Sequence, residues 1–135
     1  MAIKTLPVVS DFKRKRVIVF EFGNGVDGKP ADVEVDDETL RIPLPFDVTF
    51  MRWTINGVDP PVGSDGIVDI FKNDVSIFDT DDADKVVLPD GSAILAFGTT
   101  FKAKTGIKNS LMYAKILAVG STTSGKGWLV TLELY

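Results

Sequence analysis

Neither cysteine nor histidine occurs in this chain of 135 residues. Their absence removes the disulfide framework, the thiol nucleophile, the Cys/His zinc site and the Ser-His-Asp triad in one step. No apolar run approaches the roughly 20 residues that a membrane-spanning helix needs. Basic residues are the minority, 15 Lys+Arg against 19 Asp+Glu, for a formal net charge of -4. That balance speaks against nucleic acid as the main partner, because neutralising phosphates needs a basic surface. The opening residues Met1-Ala2-Ile3-Lys4-Thr5-Leu6-Pro7 lack the apolar core of a signal peptide, so synthesis in a cytoplasm is expected. Helical periodicity is missing as well: no segment shows a capped amphipathic helix.

What is present is core material. Hydrophobic residues make up 44%, charged residues 25%, and the chain has 9 Phe and 2 Trp. A folded monomer of 14.7 kDa exposes about 7,000 Å², against about 21,000 Å² for the extended chain, so one real core is within reach. The dominant period is two. Val17-Ile18-Val19-Phe20-Glu21-Phe22 is β-branched and aromatic and stops at Gly23. Asp47 to Ile55 reads as a strand, with Thr49, Met51, Trp53 and Ile55 on one face and Val48, Phe50, Arg52 and Thr54 on the other. Its first half is apolar on both faces, which predicts burial on both sides, and Asn56-Gly57 reads as a turn.

Ile67 to Phe71 and Val75 to Phe78 flank Lys72-Asn73-Asp74, a tight hairpin because Asn and Asp tolerate positive φ. Val86-Val87-Leu88 and Ala93 to Phe97 read as short strands about the Pro89-Asp90-Gly91 turn, and Thr99 to Thr105 as a continuation. Leu111 to Val119 and Trp128 to Tyr135 read as a second hairpin. In the latter strand Trp128, Val130, Leu132 and Leu134 point inward, with Thr131 and Glu133 outward. Asp32 to Leu40 fits a strand better than a helical turn. Strands at this spacing, separated by Gly, Pro, Asn and Asp, predict an all-β protein, an antiparallel β-sandwich. Residues 1–16 are expected to form an extended N-terminal arm, and residues 17–135 a single sandwich domain.

Four features invite a functional reading. Gly23-Asn24-Gly25-Val26-Asp27-Gly28-Lys29 matches the start of a phosphate-binding loop, but Pro30 stands where a hydroxyl should hold magnesium, and an acidic, strand-like segment follows in place of a helix. A hairpin loop is the better account. Asp79-Thr80-Asp81-Asp82-Ala83-Asp84 suggests calcium, yet read as an EF-hand loop it has Ala83 at position five, Asp84 in place of glycine and Asp90 in place of glutamate. A solvated loop is preferred, and no metal or other cofactor is assigned. Lys13, Arg14, Lys15 and Arg16 raise the local potential and are the candidate partner-binding residues, with a charge-protected strand edge as the alternative. Trp53 and Trp128 could stack on a sugar, but both sit in apolar-patterned strands and are expected in the core. Carboxylates are plentiful, and nothing marks one pair as a catalytic acid and base.

The order of features from Asp47 onward carries a resemblance. Val48-Thr49-Phe50-Met51-Arg52-Trp53 is followed by a Gly/Pro loop and then by Gly66-Ile67-Val68-Asp69-Ile70-Phe71-Lys72-Asn73-Asp74-Val75-Ser76-Ile77-Phe78; the chain closes on Trp128-Leu129-Val130-Thr131-Leu132-Glu133-Leu134. This resembles the jelly-roll-like β-domains of tailed-bacteriophage virion proteins found in fibres, spikes and head-decoration proteins. It departs from them at Ala96-Phe97-Gly98-Thr99, where those domains often carry a Gly-Asp step, and the first 46 residues have no counterpart.

The resemblance implies a capsid decoration (cement) protein on the outside of the major capsid shell, made in the host cytoplasm and carried in the virion. It implies the major capsid protein and further copies of the chain as partners, in a homotrimer or homodimer, with no enzymatic activity, nucleic acid or membrane. In that picture residues 1–16 lie across the capsid and the β-domain supplies the contact between copies. A tail or head fibre component and a carbohydrate-binding module are the alternatives. A short chain with its own Met1 favours decoration over fibre.

Overall fold

A computed structural model describes residues 4–12, 15–92 and 94–135. Among them are eleven strands: β1 (Val8–Phe12), β2 (Lys15–Phe22), β3 (Ile42–Pro43), β4 (Val48–Asp59), β5 (Gly66–Lys72), β6 (Val75–Ser76), β7 (Val86–Leu88), β8 (Ala96–Gly98), β9 (Thr105–Gly106), β10 (Leu111–Ala118) and β11 (Lys126–Leu134). Among the described residues the helical content is one 3₁₀ turn, Asp82–Asp84.

The strands lie in two antiparallel sheets. The larger runs β1-β2-β11-β4-β8, with β9 also on β4; the smaller runs β3-β10-β5-β6, with β7 also on β5. The pairings nest: β2 with β11, β3 with β10, β4 with β8 and β9, and β5 with β6 and β7. Strands β2 to β5 thus find partners in the later part of the chain in reverse order. Two further pairings, β11 with β4 and β10 with β5, close each sheet. Between the sheets sits one apolar cluster, supplied by Ile18, Phe20, Phe22, Trp53, Ile55 and β11 on one side and by Val68, Ile70, Met112, Ala114 and Ile116 on the other.

β11 follows its pattern: Trp128, Val130, Leu132 and Leu134 are buried and the residues between them half-buried. The Asn73-Asp74 turn is also as expected, with φ of 50° and 65°, the left-handed pair that a two-residue hairpin requires.

Several expectations are corrected. Leu111 to Val119 and Trp128 to Tyr135 are not partners: β10 and β11 lie in different sheets, each supplying buried residues to the core. Alternation reveals which face is inward but not which neighbour lies alongside. Asn56-Gly57 is not a turn; β4 runs on to Asp59, and the glycine makes room for the Trp128 indole, since a Cβ there would stand 2.9 Å from the ring. The faces of β4 switch midway. Leu132, Glu133 and Leu134 pair with Trp53, Arg52 and Phe50, leaving Met51 as the extra residue of a β-bulge. Val48 and Phe50 are consequently buried together with Trp53 and Ile55, while Thr49 and Met51 face out. Of the segment Ala93 to Phe97, Ala93 lies outside the described residues and the strand covers Ala96–Gly98; Thr99 to Thr105 gives one only from Thr105. Asp32 to Leu40 contributes single bridges, Asp32 to Lys126 and Glu38 to Lys115.

The extended segment expected over residues 1–16 is, from Val8 to Phe12, the edge strand of the larger sheet, and β2 begins at Lys15 instead of Val17. Thr5 is tied down as well: its hydroxyl donates to the Glu21 carbonyl at 3.0 Å, and its own carbonyl accepts from the Leu40 amide at 3.1 Å.

Candidate functional site: the outer faces and edges

The basic run divides. Lys13 and Arg14 lie outside the described residues. Lys15 opens β2 opposite Phe12. Arg16, opposite Asp11 and Leu134, lays its guanidinium over the Phe46 ring, 3.7 Å from its centre. That stacking commits one face of the cation to its own domain.

The acidic loop already holds a cation, and it is a side chain. Lys85 is buried, and its ammonium donates to the carbonyls of Asp79 at 3.1 Å and Thr80 at 3.0 Å, with Asp82 Oδ1 at 3.4 Å. An ammonium so placed does the ordering that calcium would otherwise do. Among the described residues no three carboxylates gather closely enough to hold a metal. Beside it, Asp69 is buried on β5 and accepts a 2.5 Å hydrogen bond from the Ser76 hydroxyl. Burial pushes the Asp69 carboxyl above its ordinary range, against the Ser76 hydrogen bond and the Lys85 charge, which pull it back.

The outer face of the smaller sheet continues with a stack. Phe71 and Tyr113, opposite each other in register, lie face to face at 4.9 Å; Arg41 covers Tyr113 at 4.2 Å and pairs with Asp74 at 2.8 Å. Arg41 and Tyr113 together hold the Asp74 carboxyl below its usual range. Lys115 reaches Asp36 at 3.5 Å.

The Gly23 to Lys29 loop is a turn closed on itself, with the Gly25 amide donating to Lys29 O at 2.8 Å and Ala31 N to Gly23 O at 2.6 Å. No helix follows it, so it lacks the N-terminus that would receive a phosphate. Both tryptophans are in the core. Trp128 is wrapped by Gly57, Gly66 and Gly125, and Trp53 lies against Gly98.

The larger sheet presents a different outer face. Residues directly opposite across strands share a face, so Val8, Val19, Thr131, Thr54 and Phe97 form one row from β1 to β8. The Thr54 and Thr131 hydroxyls hydrogen-bond to each other. In the adjoining row, Arg52 grips Glu133 with two parallel bonds, Nε–Oε2 at 3.1 Å and Nη2–Oε1 at 3.0 Å. Past Phe97 the row ends at a free edge, where Ile94, Leu95 and Phe97 are 78%, 54% and 62% exposed. A shallow depression lined by Met51, Arg52, Thr99, Glu133, Leu134 and Tyr135 adjoins it. The sequence pattern missed this patch because apolar residues in a short run read as core; the sign was the lack of any charge between Asp90 and Lys102.

Compared with protein-family models and with curated proteins, the chain matches none.

Proposed function

We propose that this chain is a bacteriophage virion structural protein, a decoration protein that binds the outside of the major capsid shell and stabilises it. Its partners are the major capsid protein and further copies of itself, and its work is adhesion, with no catalytic step. The observation that carries the reading is the nested strand pairing: β2 with β11, β3 with β10, β4 with β8, inward to the β5–β7 turn-round. That order supports a jelly roll, an architecture shared by viral capsid and lectin domains. The step from fold to role is an analogy between folds, joined to the sequence resemblance from Asp47 onward. The surfaces agree with it. Exposed apolar side chains gather at one sheet edge, and the grooves are shallow. Both tryptophan rings are buried, so neither is offered as a stacking platform for a sugar.

The direct test removes the gene from its source genome. Heads assembled without the protein should break at lower temperature, and adding purified protein should restore them with saturable stoichiometry. Heads that lose nothing and bind nothing would refute the role. Within it, Lys13, Arg14 and Lys15 are the residues assigned to the shell. Reversing these three charges should weaken head binding more at low salt than at high salt. Arg16 is left out of that set because its cation already rests on Phe46.

A further inference from the structure

We propose that the free edge of β8 is where two copies of this chain join, their β8 strands pairing antiparallel across a twofold axis. The inference deepens the self-association in the reading above and draws on none of its capsid part.

Three other edges of the two sheets, at β3, β6 and β1, are guarded in ways that keep stray strands away. β3 contains Pro43 and follows Arg41; β6 is two residues long beside Lys72 and Asp74; β1 is followed in the sequence by the basic stretch from Lys13. β8 is short too, at three residues, but it carries neither proline nor charge. Among the described residues it pairs with β4 alone, and no charge occurs from Gly91 to Phe101.

The strand is firmly seated for such a role. Gly98 and Ala96 lie opposite Trp53 and Ile55, both buried, so the inner side is filled from below. Trp53 packs so tightly on Gly98 that a Cβ would stand 2.5 Å from the ring. On the outer side Phe97 is the sole large group of the strand.

A second copy suits this edge better than a charged partner. Antiparallel self-pairing sets Phe97 beside its own image on one face, an aromatic cross-strand pair, with Ile94 and Leu95 flanking it. Arg52 lies 5.6 Å from the Phe97 ring centre and is already paired with Glu133. Elsewhere the net charge of -4 keeps copies apart. Three exposed side chains make a patch of about 300–600 Å² per copy. That lies at the low end of specific interfaces, so dissociation in the micromolar range is expected.

Sedimentation velocity on the purified chain, from about 1 µM to about 500 µM, tests this against the expected affinity. Wild type should shift from monomer to dimer. Phe97→Asp and Ile94→Asp should raise the dissociation constant at least about tenfold, the cost of one charge in a small apolar contact. Val75→Asp, exposed on the β5–β6 turn, should leave it unchanged. In wild type itself, amide exchange at Ala96–Gly98 should slow as concentration rises, a readout that needs no variant to fold. A monomer across the whole range, a closed trimer, or a dimer indifferent to both substitutions would overturn the inference. A monomer that still coats heads would sink this inference alone; a dimer that ignores heads would sink the capsid role alone.

Discussion

The two sheets finish their outer faces in opposite ways. The smaller one is closed off by its own side chains: the Lys85 ammonium under the acidic loop, Asp69 with Ser76, and the Phe71–Tyr113–Arg41–Asp74 stack. The larger one offers an uncharged row, Val8-Val19-Thr131-Thr54-Phe97, that ends on an unguarded edge. Polar groups that saturate one another leave nothing for a partner to satisfy, whereas apolar rows gain by being covered. The smaller sheet's charges are thus tied into a network that includes a buried carboxyl and a buried ammonium, whereas the larger sheet sets one Arg52–Glu133 pair beside an uncharged row.

The sharpest way to break that contrast is to empty the smaller sheet's network. Lys85→Ala leaves two loop carbonyls without their donor and removes the cation beside the buried Asp69; a loss of about 3 kcal/mol is expected. Thr131→Ala on the larger sheet removes one hydroxyl contact and should cost about 1 kcal/mol. Urea unfolding of the two variants measures the difference. Equal losses would mean that the two faces are not finished differently.

How much of this was legible beforehand depended on whether the signal was local. The Trp128 to Leu134 strand, the Asn73-Asp74 turn and the burial of both tryptophans follow from period and φ preference, properties of a few adjacent residues. The separation of β10 from β11 was hidden, because pairing is decided by chain segments far apart. The Met51 bulge was hidden too: one extra residue opposite Glu133 and Leu134 reverses the faces without altering the composition. The acidic loop suggested a metal because the lysine that orders it stands just past its end. The apolar edge looked like core because a sequence does not show that, among the described residues, the strand over Ala96–Gly98 pairs on one side alone.

Gly98→Ala probes the seam between the self-contained core and the adhesive edge, with a smaller effect than Lys85→Ala. The added methyl would meet the Trp53 ring at 2.5 Å, so either the indole or β8 must move, at about 1–2 kcal/mol. The edge should then lose protection against amide exchange while β10 and β5 keep theirs. Uniform loosening of both sheets would show instead that β8 is part of the common core.

The smallest effect is a slope with pH. Burial raises the Asp69 carboxyl, so the folded chain holds that proton more tightly than the unfolded chain does. By linkage its contribution is greatest below the ordinary carboxylate value of 3.8 and declines as pH rises from there through the folded value. Asp74 runs the other way: Arg41 lowers it, so its contribution is present above that same value and fades as pH falls beneath it. The stability of wild type minus that of Asp69→Asn should therefore decrease on going from about pH 4 towards neutrality, the direction set by a raised acid. Wild type minus Asp74→Asn should decrease on going from about pH 4 downward. Because Asp74 sits at the surface and Asp69 beneath it, salt should flatten the Asp74 difference and leave the Asp69 difference standing. Differences that share one sign, or that salt abolishes together, would place both carboxyls in the same solvated setting and remove the buried network from the smaller sheet.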